Sequence, residues 1–299
     1  MLRTLLRCVL IGGMPPGHFY TIWGYQSAGF VPEVDFGSFR TRTLERVSDQ
    51  GVRVPSEAMP VAGDVGLSQG QRRAVAILEI LLCSSIPTQL SILKVMQLAG
   101  WSFGPELSLS TVVVLSLADT IVLVALMVVL THVHRERVRD LWWGNRPRWR
   151  EAALGVLLVP PTFLIVGLLM LLLMRVAPAL HNVPTNPIEQ LATGSPMQAV
   201  LLGIVAIVAG GIREELQRAF LLRRFERHLG GAVVGVIVLS TAFGLGHLQQ
   251  GYDAAVTTGV LGALWAIVYL RRRSAIAPMV SHAGFNALEV LRVAIIAFS

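Results

Sequence analysis

The chain has 299 residues, 54% hydrophobic and only 14% charged, with a formal net charge of +7 and a mean hydropathy of +0.63. Soluble domains carry about 25% charged residues, so this composition excludes an ordinary water-soluble fold. The positive balance is almost wholly arginine placed between apolar runs, which argues for membrane topology and against nucleic-acid binding; the two cysteines lack the spacing of a disulfide framework or a metal site.

Residues 1–70 stand apart. Leu5–Met14 is largely apolar with Arg3 and Arg7 at its start, like a weak signal peptide, but it is too short to span and no small-x-small cleavage site follows. Pro15–Gly70 is polar and rich in Gly and Pro, without sustained periodicity, and is expected to be poorly ordered.

Residues 71–299 read as a transmembrane domain. Apolar runs of roughly twenty residues are long enough to cross hydrocarbon as helices. They predict helices over 74–98, 109–132, 152–176, 197–228, 231–249, 253–271 and 275–298. The fold class is therefore all-α: a polytopic bundle of about seven spans, with a candidate functional core at 197–299. Pro160-Pro161 should kink the third helix, because each proline removes a backbone donor.

Arginine orders the loops. Arg135, Arg137, Arg139, Arg146, Arg148 and Arg150 fall in the second loop, Arg223, Arg224 and Arg227 end the fourth helix, and Arg271, Arg272 and Arg273 end the sixth. The loops near 101–108, 177–196 and 249–253 hold no Lys or Arg. This alternation predicts a cytoplasmic N-terminus and an outside C-terminus, with Trp142, Trp143 and Trp149 as an interfacial belt. There is no internal repeat of the kind many transporters carry.

Polar residues interrupt these runs. Glu214 and Glu215 follow Ala199–Ile212, His247 lies in Gly230–Leu248, and His282 and Asn286 lie in Ala275–Phe298. An ionisable group in hydrocarbon costs several kcal/mol unless it is paired or faces water, so three such insertions point to one shared polar chamber. Counting helix rise from Arg223 and Arg273 puts Glu214 and His282 at roughly 13 Å depth, and His247 at roughly 16 Å if the end of the fourth helix protrudes. The expected chamber is open to the cytoplasm. Phe243 and His247 share a helix face, as do His282, Asn286 and Glu289, and Arg218 is one turn beyond the Glu pair. Carboxylates with imidazoles form a water-activating set. Read singly, the three blocks are equally a helix-end ion pair, a buried histidine and interhelical hydrogen-bonding groups. Glu79 and Asp119 read as buried contacts, and His132, His134, His181 and His228 as solvated.

The blocks Glu214-Glu215-Leu-Gln-Arg218, Phe243-Gly-Leu-Gly-His247 and His282-Ala-Gly-Phe-Asn286 resemble the motifs of the CAAX-protease and bacteriocin-processing (CPBP, or Abi) intramembrane proteases, in that family's order. The resemblance covers about 197–290. The first block departs from Glu-Glu-x-x-x-Arg by one residue. Either Glu214-Glu215 is the motif pair, or Glu214 is its second member and Arg213 replaces the first. The first alignment is favoured, because Arg213 cannot accept a proton.

The resemblance implies an intramembrane endopeptidase acting on membrane-associated, prenylated or exported peptides in a prokaryotic cytoplasmic membrane. Glu214 and His247 would activate a water, His282 and Asn286 would stabilise the oxyanion, and Glu215 would pair with Arg218. Phe243 would support the site; beside the resemblance, Glu289, on the same helix face, is placed to orient His282 or Asn286, with Arg292 an equally ready partner. The family is often called metalloprotease, and Glu214, His247 and His282 offer a zinc ligand set with one open position; a metal-free mechanism fits the same residues. The alternative is a non-catalytic relative acting in bacteriocin immunity or binding a membrane peptide, and a third reading is a small proton-relay transporter.

Overall fold

The computed structural model describes residues 66–103 and 108–299. The expected disorder of 1–70 thus falls almost wholly outside the described residues. Of the overlapping residues 66–70, Gln69 and Gly70 already belong to the first helix. Helix α1 (Gln69–Leu82) starts at a capping box: the Ser68 hydroxyl accepts from the Gln71 backbone and the Gln71 side chain accepts from the Ser68 backbone. Helix α2 (Ile86–Leu98) follows. The single helix expected over 74–98 is this pair, bent by 42°. Pro87 sits in the first turn of α2 and Ser85 is left-handed, with φ of 67°. Proline starts a helix readily and interrupts one in its interior.

Helices α3 (Leu109–Val133) and α4 (Arg148–Val176) are long and apolar. Helix α4 continues through Pro160 and Pro161. It buries Glu151, Gly155 and Thr162 while Leu157, Leu164 and Leu171 stay exposed. Polar and small residues inward with leucine outward suit a helix whose solvent is lipid. A methyl at Gly155 would stand 2.7 Å from the Ala277 carbonyl, so α4 and the last helix, α8 (Ile276–Phe298), approach backbone to backbone. Between α4 and α8 in the chain run α5 (Pro196–His228), α6 (Gly231–Leu245) and α7 (Tyr252–Arg272).

The protein is an all-α, multi-pass integral membrane protein with five helices long and apolar enough to cross a membrane, or six if α1 and α2 form one bent span. The seventh expected segment is α6. It ends at Leu245 and not at 249, and its 15 residues extend about 22 Å, short of a hydrocarbon core of about 30 Å. Gly244 and Gly246 stand at its end, and Gly251, with φ of 124°, turns the chain back into α7.

The arginine-rich end is a packed floor, not a set of free loops. Residues Arg139–Trp143 form one wide helical turn that inserts Trp142 against Leu123, Phe220 and Ala275. Trp142 donates to the Leu216 carbonyl at 3.1 Å, Ala275 N–H donates to the Trp142 carbonyl at 2.7 Å, and Tyr269 donates to the Leu141 carbonyl at 3.0 Å. The belt expectation therefore fails for Trp142, which is 3% exposed, while Trp149 is 69% exposed. His134 is likewise not solvated. It bonds buried Glu79, which also meets Arg224 at 2.5 Å, and Arg224 and Arg227 share Glu136. This network ties α1 to α3 and α5. His181 pairs with Asp253 at 2.7 Å.

Candidate functional site

The site is built on α5. Residues Ala206–Arg213 form a π-helical stretch, with ordinary α-helix before and after it. A π-turn widens the coil and leaves backbone groups without their usual partners, and such turns recur at functional sites. Two features of α8 fit the widened coil. Asn286 donates to the Ala206 carbonyl at 3.0 Å. A methyl at Gly211 would stand 2.5 Å from Cα of Ala283, and one at Gly210 would stand 2.6 Å from the Asn286 amide. The glycine pair therefore lets α5 and α8 touch where the hydrogen bonding changes.

Immediately after the π-stretch the chain places three charged side chains in three environments. Arg213 is buried: it donates to Ser85 at 2.8 Å, bonds Gln217 at 3.2 Å and lies 3.8 Å from Asp119. Gln217 donates to the Cys83 carbonyl, at 2.6 Å, exposed by the α1–α2 break. Asp119 also accepts from Thr88 and, at 3.3 Å, from Gln89. Glu214 lines a cavity, with a guanidinium nitrogen of Arg213 3.6 Å away. Glu215 lies behind the cavity wall, 1% exposed. One of its oxygens accepts from both Arg218 and His282 Nδ1, the latter at 2.9 Å; the other has no hydrogen-bond partner among the described residues. Glu215 and Arg218 are thus in direct contact within one helical turn.

Aromatic rings fix the imidazoles. The Trp265 ring lies flat on His282, with centroids 3.8 Å apart and 16° between planes. Phe243 presents an edge contact to both His247 and His282, at 4.9 and 5.9 Å. The Arg218 guanidinium sits over Phe243 at 4.6 Å and Trp265 at 5.8 Å. Trp265 donates to Ser281 at 3.2 Å. His247 stands just past the end of α6, not within it, and its Nδ1 donates back to the Phe243 carbonyl at 2.8 Å. Gly262 makes room for Phe243: a methyl there would stand 2.9 Å from its ring.

The cavity has a volume of about 710 Å³, and its lining includes Glu214, Phe243, His247, Trp265, His282 and Asn286. Glu214 and Trp265 are the last lining positions along α5 and α7, and His282 is the first along α8. They therefore form its floor. Its walls run towards the loops holding His181, Asn186 and Gln250, away from the arginine-rich end. The expected chamber on the arginine side is thus replaced by one on the opposite side. The physical reason is α6, which stops short and leaves room above His247. The 181–186 segment fills part of that room by hydrogen bonding to the start of α7 and to Gln250.

Direct contact joins Glu215, Arg218, Phe243, Trp265 and His282, with His247 on the far side of Phe243. Glu214 and Asn286 share the cavity with the two imidazoles, but among the described residues no hydrogen bond joins Glu214 to either ring. Of the two partners open to Glu289, it takes Arg292, at 2.9 Å near the rim. Among the described residues no three His, Cys, Asp or Glu side chains stand together as a metal-binding group, the Glu214, His247 and His282 set included. Sequence reasoning missed Trp265. The available signal was a tryptophan near the middle of an apolar run, far from the interfaces where that residue concentrates.

Residues 196–288 match a family model described as Type II CAAX prenyl endopeptidase Rce1-like. The chain thus carries a CAAX-protease-related domain within a larger membrane protein. No curated protein and no solved structure matches it.

Proposed function

We propose that this domain hydrolyses peptide bonds of membrane-associated peptides, with its own side chains activating the water. Glu214 is the general base. The water's proton passes to Glu214, its oxygen bonds to the peptide carbonyl carbon, and the C–N bond breaks as that proton moves to the leaving amine. His247 orients the water. Its Nδ1–H is committed to the Phe243 carbonyl, so Nε2 is the nitrogen left to accept. Asn286 spends one amide hydrogen on Ala206 and has a second for the oxyanion.

His282 needs a hydrogen on Nε2 to serve as the other oxyanion donor. Its Nδ1 already donates to Glu215, so the donor form is the imidazolium. Two imidazoles and a carboxylate are also donor types that zinc accepts. Zinc would require Nε2 of His282 as a lone pair, the opposite protonation state. These side chains do not stand together as a metal-binding group, so no step is routed through a metal.

The observation carrying this reading is that Glu214, His247, His282 and Asn286 line one cavity, while both imidazoles have their Nδ1 already engaged. The test is cleavage of a prenylated or exported membrane peptide by purified protein. Glu214→Gln should lower turnover by about 10²–10⁴-fold without loss of folding. Unchanged cleavage in that variant would end the proposal. The second reading, a non-catalytic peptide-binding relative, is favoured by Arg213 beside Glu214; peptide binding that survives Glu214→Gln, with no cleavage by the wild type, would select it. In either reading the arginine-rich end is assigned to the cytoplasmic side.

A further inference from the structure

At the arginine-rich end, a second cavity of about 220 Å³ lies between the turn after α3 and the last turns of α5. It is lined by Arg135, Glu136, Arg137, Asp140, Arg223 and Arg227 among others. Glu136 is already engaged by Arg224 at 2.8 Å and by Arg227. Arg135, Arg137 and Arg223 form no ion pair among the described residues. Asp140 is the one carboxylate left to face them. Three guanidinium groups without ion pairs around one small cavity make it favourable for an anion.

A second observation concerns the backbone. Helix α3 ends in a Schellman turn: Arg135 N–H donates to the His132 carbonyl and Glu136 N–H to the Thr131 carbonyl. Arg135 occupies the left-handed position of that turn, with φ of 54°. Glycine takes this conformation without steric cost and arginine does not. A strained residue that delivers a charge to a cavity points to function.

The bland reading is that these arginines only orient the protein in the bilayer. That role needs arginines on one side; it does not need three of them, two exposed and one half-buried, gathered round one cavity with one in a left-handed turn. Of the other arginines of this face, Arg272 pairs with Glu151, Arg273 with Glu226, and Arg148 and Arg150 lie over the rings of Trp143 and Trp149; Arg139, Arg146 and Arg271 form no ion pair among the described residues and lie outside the cavity lining.

We propose that this cavity binds a phosphate group, supplied by an anionic phospholipid headgroup or by free phosphate. Guanidinium forks match phosphate oxygens bidentately. The cavity lies where two long apolar helices end, at headgroup depth.

The test uses the delipidated full chain in detergent, titrated with phosphatidylglycerol, phosphatidylcholine or inorganic phosphate, and read by native mass spectrometry and thermal unfolding. Phosphatidylglycerol should bind and raise the unfolding temperature, and phosphatidylcholine should not. The triple variant Arg135→Gln, Arg137→Gln, Arg223→Gln should weaken that binding about tenfold or more. The triple variant Arg139→Gln, Arg146→Gln, Arg271→Gln, which removes equal charge outside the cavity lining, should leave it nearly unchanged. Inorganic phosphate acting as well as the lipid would identify free phosphate as the source. Equal weakening in both triple variants, or equal binding of phosphatidylcholine, would overturn the proposal. Arg135→Gly gives an independent reading, because it relieves the turn: the lipid-free protein should melt higher and bind phosphatidylglycerol more weakly. Unchanged binding in Arg135→Gly would also overturn it.

Discussion

His282 and Glu215 are joined by a 2.9 Å hydrogen bond between two groups that water scarcely reaches. Arg218 shares the same carboxylate oxygen, so the three form a buried charged unit behind the cavity floor, whereas Glu214 faces the cavity itself. The two neighbouring glutamates therefore differ in what their removal leaves behind.

Glu215→Gln leaves Arg218 buried without its counter-charge, which costs about 3–5 kcal/mol of stability. Glu214→Gln should cost less than about 1 kcal/mol, as substitutions at partly solvated positions do. Thermal unfolding of the two variants in detergent checks this ordering. Equal losses would show that Glu214 is as structural as Glu215.

Trp265→Leu removes the face stacked on His282 and leaves part of the ring's volume empty. Turnover should fall about tenfold while peptide binding changes little, with a stability loss of about 2–4 kcal/mol. Separate measurement of kcat and KM decides the matter. A rise in KM with unchanged kcat would assign Trp265 to substrate binding.

Gly211→Ala places a methyl 2.5 Å from Ala283, an overlap expected to cost about 1–3 kcal/mol. Ala283→Gly in the same chain should recover part of that loss, since it removes one of the clashing atoms. No recovery would mean that the two helices are held apart by other contacts.

Arg224→Met leaves Glu79 and Glu136 with less compensating charge and should destabilise the protein by about 3–5 kcal/mol. Adding Glu79→Gln should restore part of this, and the double-mutant cycle gives the coupling energy. Additive losses would show that the 2.5 Å contact carries no net interaction.

Cysteines placed at Glu189 and Gln250, on the cavity rim, should react with a membrane-impermeant thiol reagent from the side opposite to cysteines placed at Arg146 and Arg271. Labelling of sealed vesicles of both orientations reads this directly. Reaction of all four from one side would contradict the assignment of the cavity to the half away from the arginines.

Much of this architecture was legible because hydropathy reports length and arginine reports ends. The π-stretch was not. Ala206-Ile-Val-Ala-Gly-Gly-Ile212 is apolar throughout, so its periodicity cannot separate turns of different width; only the glycine pair hinted at close packing. The end of α6 was misplaced because Gly-Leu-Gly before His247 continues an apolar run, although two glycines so close together weaken a helix. The break at Ser84-Ser85 was hidden by apolar residues on both sides, with Pro87 as its marker. Trp142 was misjudged because a tryptophan between arginines looks interfacial, and only tertiary packing shows that it is swallowed. The order of the three polar blocks was legible, and the resemblance assigned Glu215 to Arg218; the contact of Glu215 with His282 was not, because it depends on how far the chain has turned on leaving the π-stretch.

Asn286 donates to the Ala206 carbonyl, where the widened coil begins. A chain one residue shorter between 206 and 213 could close its backbone ladder normally, so helix propensity alone would not resist the loss. Every position upstream would nevertheless swing by about 100° relative to Glu214. Gly211 would leave Ala283, and the amide tether would have no acceptor. The surplus residue thus acts as a phase spacer: it lets a single rod meet the same neighbour twice, first with bare backbone and then with a carboxylate.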